Sequence, residues 1–107
     1  MYFYSQDNKS AKQIFEGIRG RPFWGENIML VVVDFESFAV LPSHSHYHEQ
    51  AGIVLEGEVE FTIAEETRLL QQGDLYFIPS NIEHSVKVGS SPAKVIDVFH
   101  PVREDFK

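Results

Sequence analysis

The spacing of a few residues constrains this chain more than its composition does. His44 and His46 stand two apart, Gln50 follows His46 by four, Gly57 follows by seven, and Gly73, Pro79 and His84 come later at intervals of six and five. Three imidazoles and one side-chain amide converge only if the segments between them are strands folded back on each other. In an extended strand, residues two apart point to the same face. His44 and His46 therefore present their rings side by side. Gln50 has the same parity and reaches the same point through its side-chain oxygen where the strand bends. His84 then comes from a neighbouring strand, delivered by the turn-strand-turn from Gly73 to Pro79. The pattern predicts a mononuclear metal site inside a small β-barrel.

The rest of the chain reads as short strands. Residues 28–33 are rich in β-branched side chains and lack a helix cap. Residues 51–55 are apolar and end at Glu56-Gly57-Glu58, a hairpin signal into residues 59–64, which alternate with period two. Residues 68–70, a short buried strand at 75–78, and two last strands at 85–88 and 94–99 follow, punctuated by Gly73-Asp74, Pro79-Ser80-Asn81 and Gly89-Ser90-Ser91-Pro92. Residues 10–17 fit either one helical turn or an edge strand. No amphipathic helix of useful length lies between strands, so the expected class is all-β, a sandwich or barrel. The 107 residues read as a single domain with its core at about 28–100.

Charge and composition remove several function classes. The formal net charge of −7 disfavours nucleic acid and anionic membranes, which call for a basic footprint. The chain has no cysteine, hence no disulfide framework and no thiolate ligand. No apolar run is long enough to span a bilayer, and the aromatic N-terminus lacks the pattern of a signal peptide. The expectation is a cytoplasmic protein.

A His-x-His pair alone is common surface decoration; the second motif at the right distance is what makes it a ligand set. Imidazole suits zinc, copper, iron, nickel and manganese, and three His plus an amide does not choose among them. His48 is expected behind the ligands or at the rim rather than as a ligand, because a third His on the same strand sits too far along it. His100 is expected at the surface. Gln50 is chemically distinctive. A carboxylate there would cancel part of a divalent ion's charge; an amide leaves it whole, a stronger Lewis acid and a better host for an anion.

In the C-terminal stretch, Asp97 and Phe99 share a face by period two. If that face is the barrel interior, Asp97 is a buried carboxylate near a metal and a candidate general base. Arg103, just past the strand end, could clamp a substrate carboxylate. The competing reading has Asp97 facing water and Arg103 paired with Glu104 or Asp105.

These residues resemble the cupin superfamily, whose motifs are G-x5-H-x-H-x3,4-E-x6-G and G-x5-P-x-G-x2-H-x3-N. Here they read His44-x-His46-x3-Gln50-x6-Gly57 and Gly73-x5-Pro79-x-Asn81-x2-His84. The departures are Leu in the leading glycine region, Gln50 for Glu, Asn81 for Gly and Val88 for the trailing Asn. Asn tolerates positive φ best after Gly. The resemblance implies an RmlC-like jelly-roll barrel, commonly dimeric.

The histidine run, the hairpin around Gly57 and the tail from Asp97 to Phe106 are similar to the KdgF subfamily of cupins. That subfamily converts 4,5-unsaturated monouronates from pectin or alginate breakdown into linear, ketonised forms. The resemblance implies that His44, His46, Gln50 and His84 hold one divalent transition metal, and that Asp97, Phe99 and Arg103 form the active-site set for a small anionic sugar-like substrate. Two other readings stay open at this point: a non-catalytic cupin binding a small anion, and a metal-dependent dioxygenase. The segment Tyr2-Phe3-Tyr4 could pack on a partner in a homodimer or close its own barrel.

Overall fold

The computed structural model describes residues 2–107. Ten strands are present among them: β1 (Lys12–Phe15), β2 (Ile18–Trp24), β3 (Met29–Phe35), β4 (Val40–His44), β5 (Glu49–Glu56), β6 (Val59–Ile63), β7 (Glu66–Leu70), β8 (Leu75–Ile78), β9 (His84–Val88) and β10 (Ala93–His100). They form a six-stranded sheet in the order β1-β2-β3-β10-β5-β8 and a four-stranded sheet in the order β4-β9-β6-β7. Every pairing is antiparallel. The two sheets pack face to face as the jelly roll expected. Residues 10–17 resolve as an edge strand, β1, rather than a helical turn.

Period-two burial builds the core. β10 buries Ala93, Val95, Asp97 and Phe99, and β3 buries Met29, Val31, Val33 and Phe35. The opposite sheet supplies Val59 and Phe61 from β6 and Val86 and Val88 from β9. This closed apolar interior is where most of the folding free energy resides. Asp97 is the one carboxylate in those rows, so it sits where an aliphatic residue would pack.

One turn and one strand differ from the sequence expectation. The segment Glu56-Gly57-Glu58 does not close a hydrogen-bonded hairpin. β5 pairs with β10 and β8, whereas β6 pairs with β7 and β9, so the turn carries the chain from one sheet to the other. Gly57 has φ +77°, and a Cβ there would lie 2.5 Å from the Pro92 carbonyl oxygen. The chain must pass close beneath the β9–β10 connection, and only glycine fits. The strand at 75–78 is half-buried rather than buried: Tyr76 and Ile78 face inward, Leu75 and Phe77 face out. Asn81 takes φ +65°, as its place in the second motif predicts. Six residues before His44, where the motif has its leading glycine, the residue is Phe38 and not the leucine assigned to that region from sequence; it takes φ +62° with its ring exposed.

Candidate metal centre

His44 closes β4 and His84 opens β9, and the two are direct cross-strand partners. Their ring centroids lie 4.2 Å apart. His46 lies beyond the end of β4, in the connection to β5. It shares no strand with His44, which corrects the period-two argument. What places it is the second motif: the Asn81 N–H donates to the His46 carbonyl at 2.8 Å, and the Ser80 hydroxyl donates to the Tyr47 carbonyl. The Pro79 turn thus braces the histidine loop. Gln50, on β5, returns the chain inward and is buried.

Each imidazole is oriented by the backbone. The Nδ1 atoms of His44, His46 and His84 lie 2.9, 3.0 and 2.9 Å from the carbonyl oxygens of Pro42, His48 and Ile82. A carbonyl only accepts, so each Nδ1 carries the proton and each Nε2 presents a lone pair. One ligand atom from each ring falls within 4.8 Å of the others. His84 Nε2 is buried with no hydrogen-bond partner, a cost that a bound cation removes.

Gln50 fits the same set. The Gln50 amide acts on the Asp97 carboxyl as a donor that holds its value down, which puts the NH₂ on that side. Its Oε1 therefore faces His46 Nε2 at 3.1 Å, acceptor against acceptor. Adjacent ligands on an ion with bonds of about 2.1 Å stand about 3 Å apart. The donor set of three imidazole nitrogens and one amide oxygen fits a divalent transition ion.

Electrostatics agree with neutral rings. Burial pushes His84 down to about 4 and lowers His46, with the Arg103 charge lowering both further. Lone pairs are therefore available at neutral pH without displacing protons. Burial has the opposite effect on Asp97, raising its carboxyl to about 6 despite hydrogen bonds from Tyr76 and Gln50.

Asp97, Phe99 and Arg103 reach the same cavity as His44, Gln50 and His84, a space of about 230 Å³. Phe99 stands in register with Gln50 across β10 and β5, and its ring meets His46 edge-on at 5.7 Å. For Arg103 the structure shows the pairing with a neighbouring acid that one of the two readings gave. It pairs with Asp105 at 2.9 Å, yet its side chain is only 14% exposed. The guanidinium lies over Phe106 at 3.9 Å and near Phe99 at 5.1 Å.

Sequence reasoning missed Tyr76, whose hydroxyl donates to Asp97 Oδ1 at 2.5 Å. Its shared parity with Ile78 was the available signal. It missed Phe106, over which the Arg103 guanidinium lies. His48 stands outside the histidine cluster, as expected, but is buried rather than at the rim; it stacks on Tyr47 with centroids 4.0 Å apart, and its carbonyl accepts from His46 Nδ1. His100 is exposed, as expected.

The cupin-domain profile matches residues 31–99. This chain belongs to the cupin family. It is 31% identical over 106 residues to the pectin degradation protein KdgF of Dickeya dadantii (strain 3937), covering 97% of this chain and 96% of that one. Among solved structures, KdgF from Halomonas sp. superposes with a TM-score of 0.92 at 28% identity, covering 100% and 99% of the two chains. An RmlC-like cupin from Shewanella frigidimarina NCIMB 400 gives 0.93 at 27% identity, covering 100% and 96%. Within the cupins this chain thus resembles the small KdgF-like proteins.

Proposed function

We propose that this cupin holds one divalent transition-metal ion on His44, His46, Gln50 and His84, and promotes ring opening and ketonisation of a 4,5-unsaturated uronate monosaccharide. The observation that carries the reading is the shared cavity: a lone-pair cluster, a buried carboxyl raised to about 6, and a held guanidinium line one small space. Likeness to a pectin degradation protein supports the substrate class. The cavity of about 230 Å³ falls below the ~300 Å³ at which pockets for drug-sized ligands begin, so it suits one sugar ring.

The reaction is an isomerisation and needs no co-reactant. A proton leaves the C1 hydroxyl, the bond from C1 to the ring oxygen breaks, and the ring oxygen becomes an enol at C5. The enol then loses its proton while C4 gains one, leaving a ketone. A bound divalent ion supplies Lewis acidity toward the substrate's carboxylate or ring oxygens. Asp97 carries protons between the enol oxygen and C4; a carboxyl with a value near 6 gives and takes them with little bias near neutrality. Phe99 walls the cavity and keeps water off the enol. Arg103 holds the substrate carboxylate, its planar fork kept in place by Asp105 and Phe106.

The test is a metal-loaded assay with 4,5-unsaturated galacturonate, product formation followed by NMR. Metal-dependent acceleration, lost in Asp97→Ala with metal content unchanged, is the expected result. Saturable binding without product would favour a ligand-binding cupin, and oxygen consumption with bound iron a dioxygenase. Either overturns the reading.

We also infer that the chain works in the cytoplasm as a single-domain homodimer. Among the described residues no helix is long and apolar enough to cross a membrane. The outer face of the six-stranded sheet carries a cross-strand row of Phe77, Ala51, Val98, Leu30 and Phe23, with Leu75 beside it. Phe77 and Leu75 are 70% and 63% exposed. Charges of both signs rim this face, with Asp34 bridging Arg21 at 2.9 Å and Lys94 at 3.7 Å. An apolar centre with a mixed-sign rim is complementary to a second copy of itself. Tyr4 packs on Phe23 at 5.9 Å and extends the patch. Light scattering should give a dimer for the native chain and a monomer for Phe77→Asp; a monomeric native chain overturns the inference.

A further inference from the structure

The layer beneath the histidines holds a polar pair to which no role has been assigned on the Tyr76 side. Asp97 on β10, Gly52 on β5 and Tyr76 on β8 stand in register across three adjacent strands. The outer two are separated by the width of the central strand, roughly 9.6 Å at ~4.8 Å per strand. A side chain at the middle position would block the path between them. A Cβ built at Gly52 lies 2.2 Å from Tyr76 Cζ and 2.3 Å from its Oη, so the phenol ring occupies the space a side chain would take. The hydroxyl crosses β5 over that glycine and donates to Asp97 Oδ1 at 2.5 Å, with both residues buried. Phe61, from the opposite sheet, packs on the ring with centroids 4.1 Å apart.

We propose that Tyr76 is a positioning residue for Asp97, and that Gly52 is the opening that lets it act. The role rests on the reading of Asp97 as the proton carrier. A carboxylate free to rotate about its Cβ–Cγ bond can turn its oxygens away from a substrate. The Tyr76 bond commits Oδ1, and the Gln50 amide engages the same group. The carboxylate plane is thereby fixed with respect to the ligand shell. A ring that served only to fill the core would need no glycine opposite it, and phenylalanine would fill the same volume without bringing a hydroxyl into a dry interior.

Tyr76→Phe keeps the ring and deletes the donor, so it separates positioning from packing. In metal-loaded protein the variant should retain its metal content and keep KM for 4,5-unsaturated galacturonate within about twofold, while kcat falls roughly ten- to a hundredfold, the scale of a misplaced reacting group. Independently of turnover, the native chain should show a strongly downfield Tyr76 hydroxyl proton by NMR, absent in Tyr76→Phe and moved in Asp97→Asn. The Asp97 Cγ resonance should shift in Tyr76→Phe. Gly52→Ala, which displaces the ring, should reproduce the kcat loss where it folds. An unmoved Cγ resonance, or an unchanged kcat, overturns the positioning role. If the native chain does not turn the sugar over at all, the functional reading fails, and the two NMR signals alone decide the role of Tyr76.

Discussion

His46 Nε2 and Gln50 Oε1 face each other at 3.1 Å with no proton between them. Both atoms are acceptors because the His46 Nδ1–H donates to the His48 carbonyl and the Gln50 amide nitrogen is turned to Asp97. The arrangement is repulsive without a cation and attractive with one. It ties the ligand shell to the carboxylate in the next layer, because one glutamine serves both.

Metal should therefore stabilise the fold. A divalent ion at about a hundredfold excess over its dissociation constant adds about 2.7 kcal/mol. For a domain of this size that is a rise in Tm on the order of ten degrees. Differential scanning fluorimetry should show the rise on adding manganese, nickel or zinc and its loss with chelator. His84→Ala, which removes the buried ligand, should lose the metal-dependent part of the shift.

Gln50→Glu tests whether the neutral amide matters. A carboxylate at this position binds the cation more tightly but cancels part of its charge and sets a like charge beside Asp97. Metal retention against a chelator should improve. KM for the anionic sugar should rise about tenfold, the equivalent of about 1.4 kcal/mol. An unchanged KM would remove the electrostatic argument for glutamine.

The raised carboxyl of Asp97 predicts a pH signature in the metal-free protein. Its folded value, about 6, lies above the ordinary 3.8 because burial disfavours the anion. A group raised on folding contributes stability that is complete below its unfolded value and lost as pH rises through the folded one. Asp97 should thus take away stability on the order of 3 kcal/mol between about pH 4 and pH 6 in the metal-free protein, against a gain over the same range from His84, whose ring is lowered to about 4. Asp97→Asn keeps an acceptor for Tyr76 and should abolish that component of the slope. Urea titrations of both proteins across this range make the comparison.

Much of this was readable from sequence because period two is a strict rule. The parity of Asp97 with Phe99 put both on one face, and the apolar runs around them marked the strands; that the face is the interior came from the structure. What was not readable came from places where the chain leaves a strand. His46 sits past the end of β4, so its position depends on hydrogen bonds from Ser80 and Asn81, residues more than thirty positions away. Gly57 marks a turn but does not say whether the strands it joins share a sheet. Tyr76 meets Asp97 only because Gly52 lies between them; three strands must be aligned before that contact exists, and no local pattern encodes the alignment.

Arg103 offers the sharpest separation of binding from chemistry. Its guanidinium lies over Phe106 at 3.9 Å and 5.1 Å from the Phe99 ring, and donates to Asp105 on its edge at 2.9 Å. A planar, delocalised cation suits that slot, and a lysine ammonium cannot stack or fork in the same way. Arg103→Lys should therefore raise KM about tenfold or more while leaving metal content unchanged, because loss of a charge-assisted pair costs about 1.5–3 kcal/mol. If kcat falls instead and KM stays fixed, the guanidinium acts on the reacting atoms rather than on the substrate carboxylate. Steady-state kinetics on the metal-loaded variant distinguish the two.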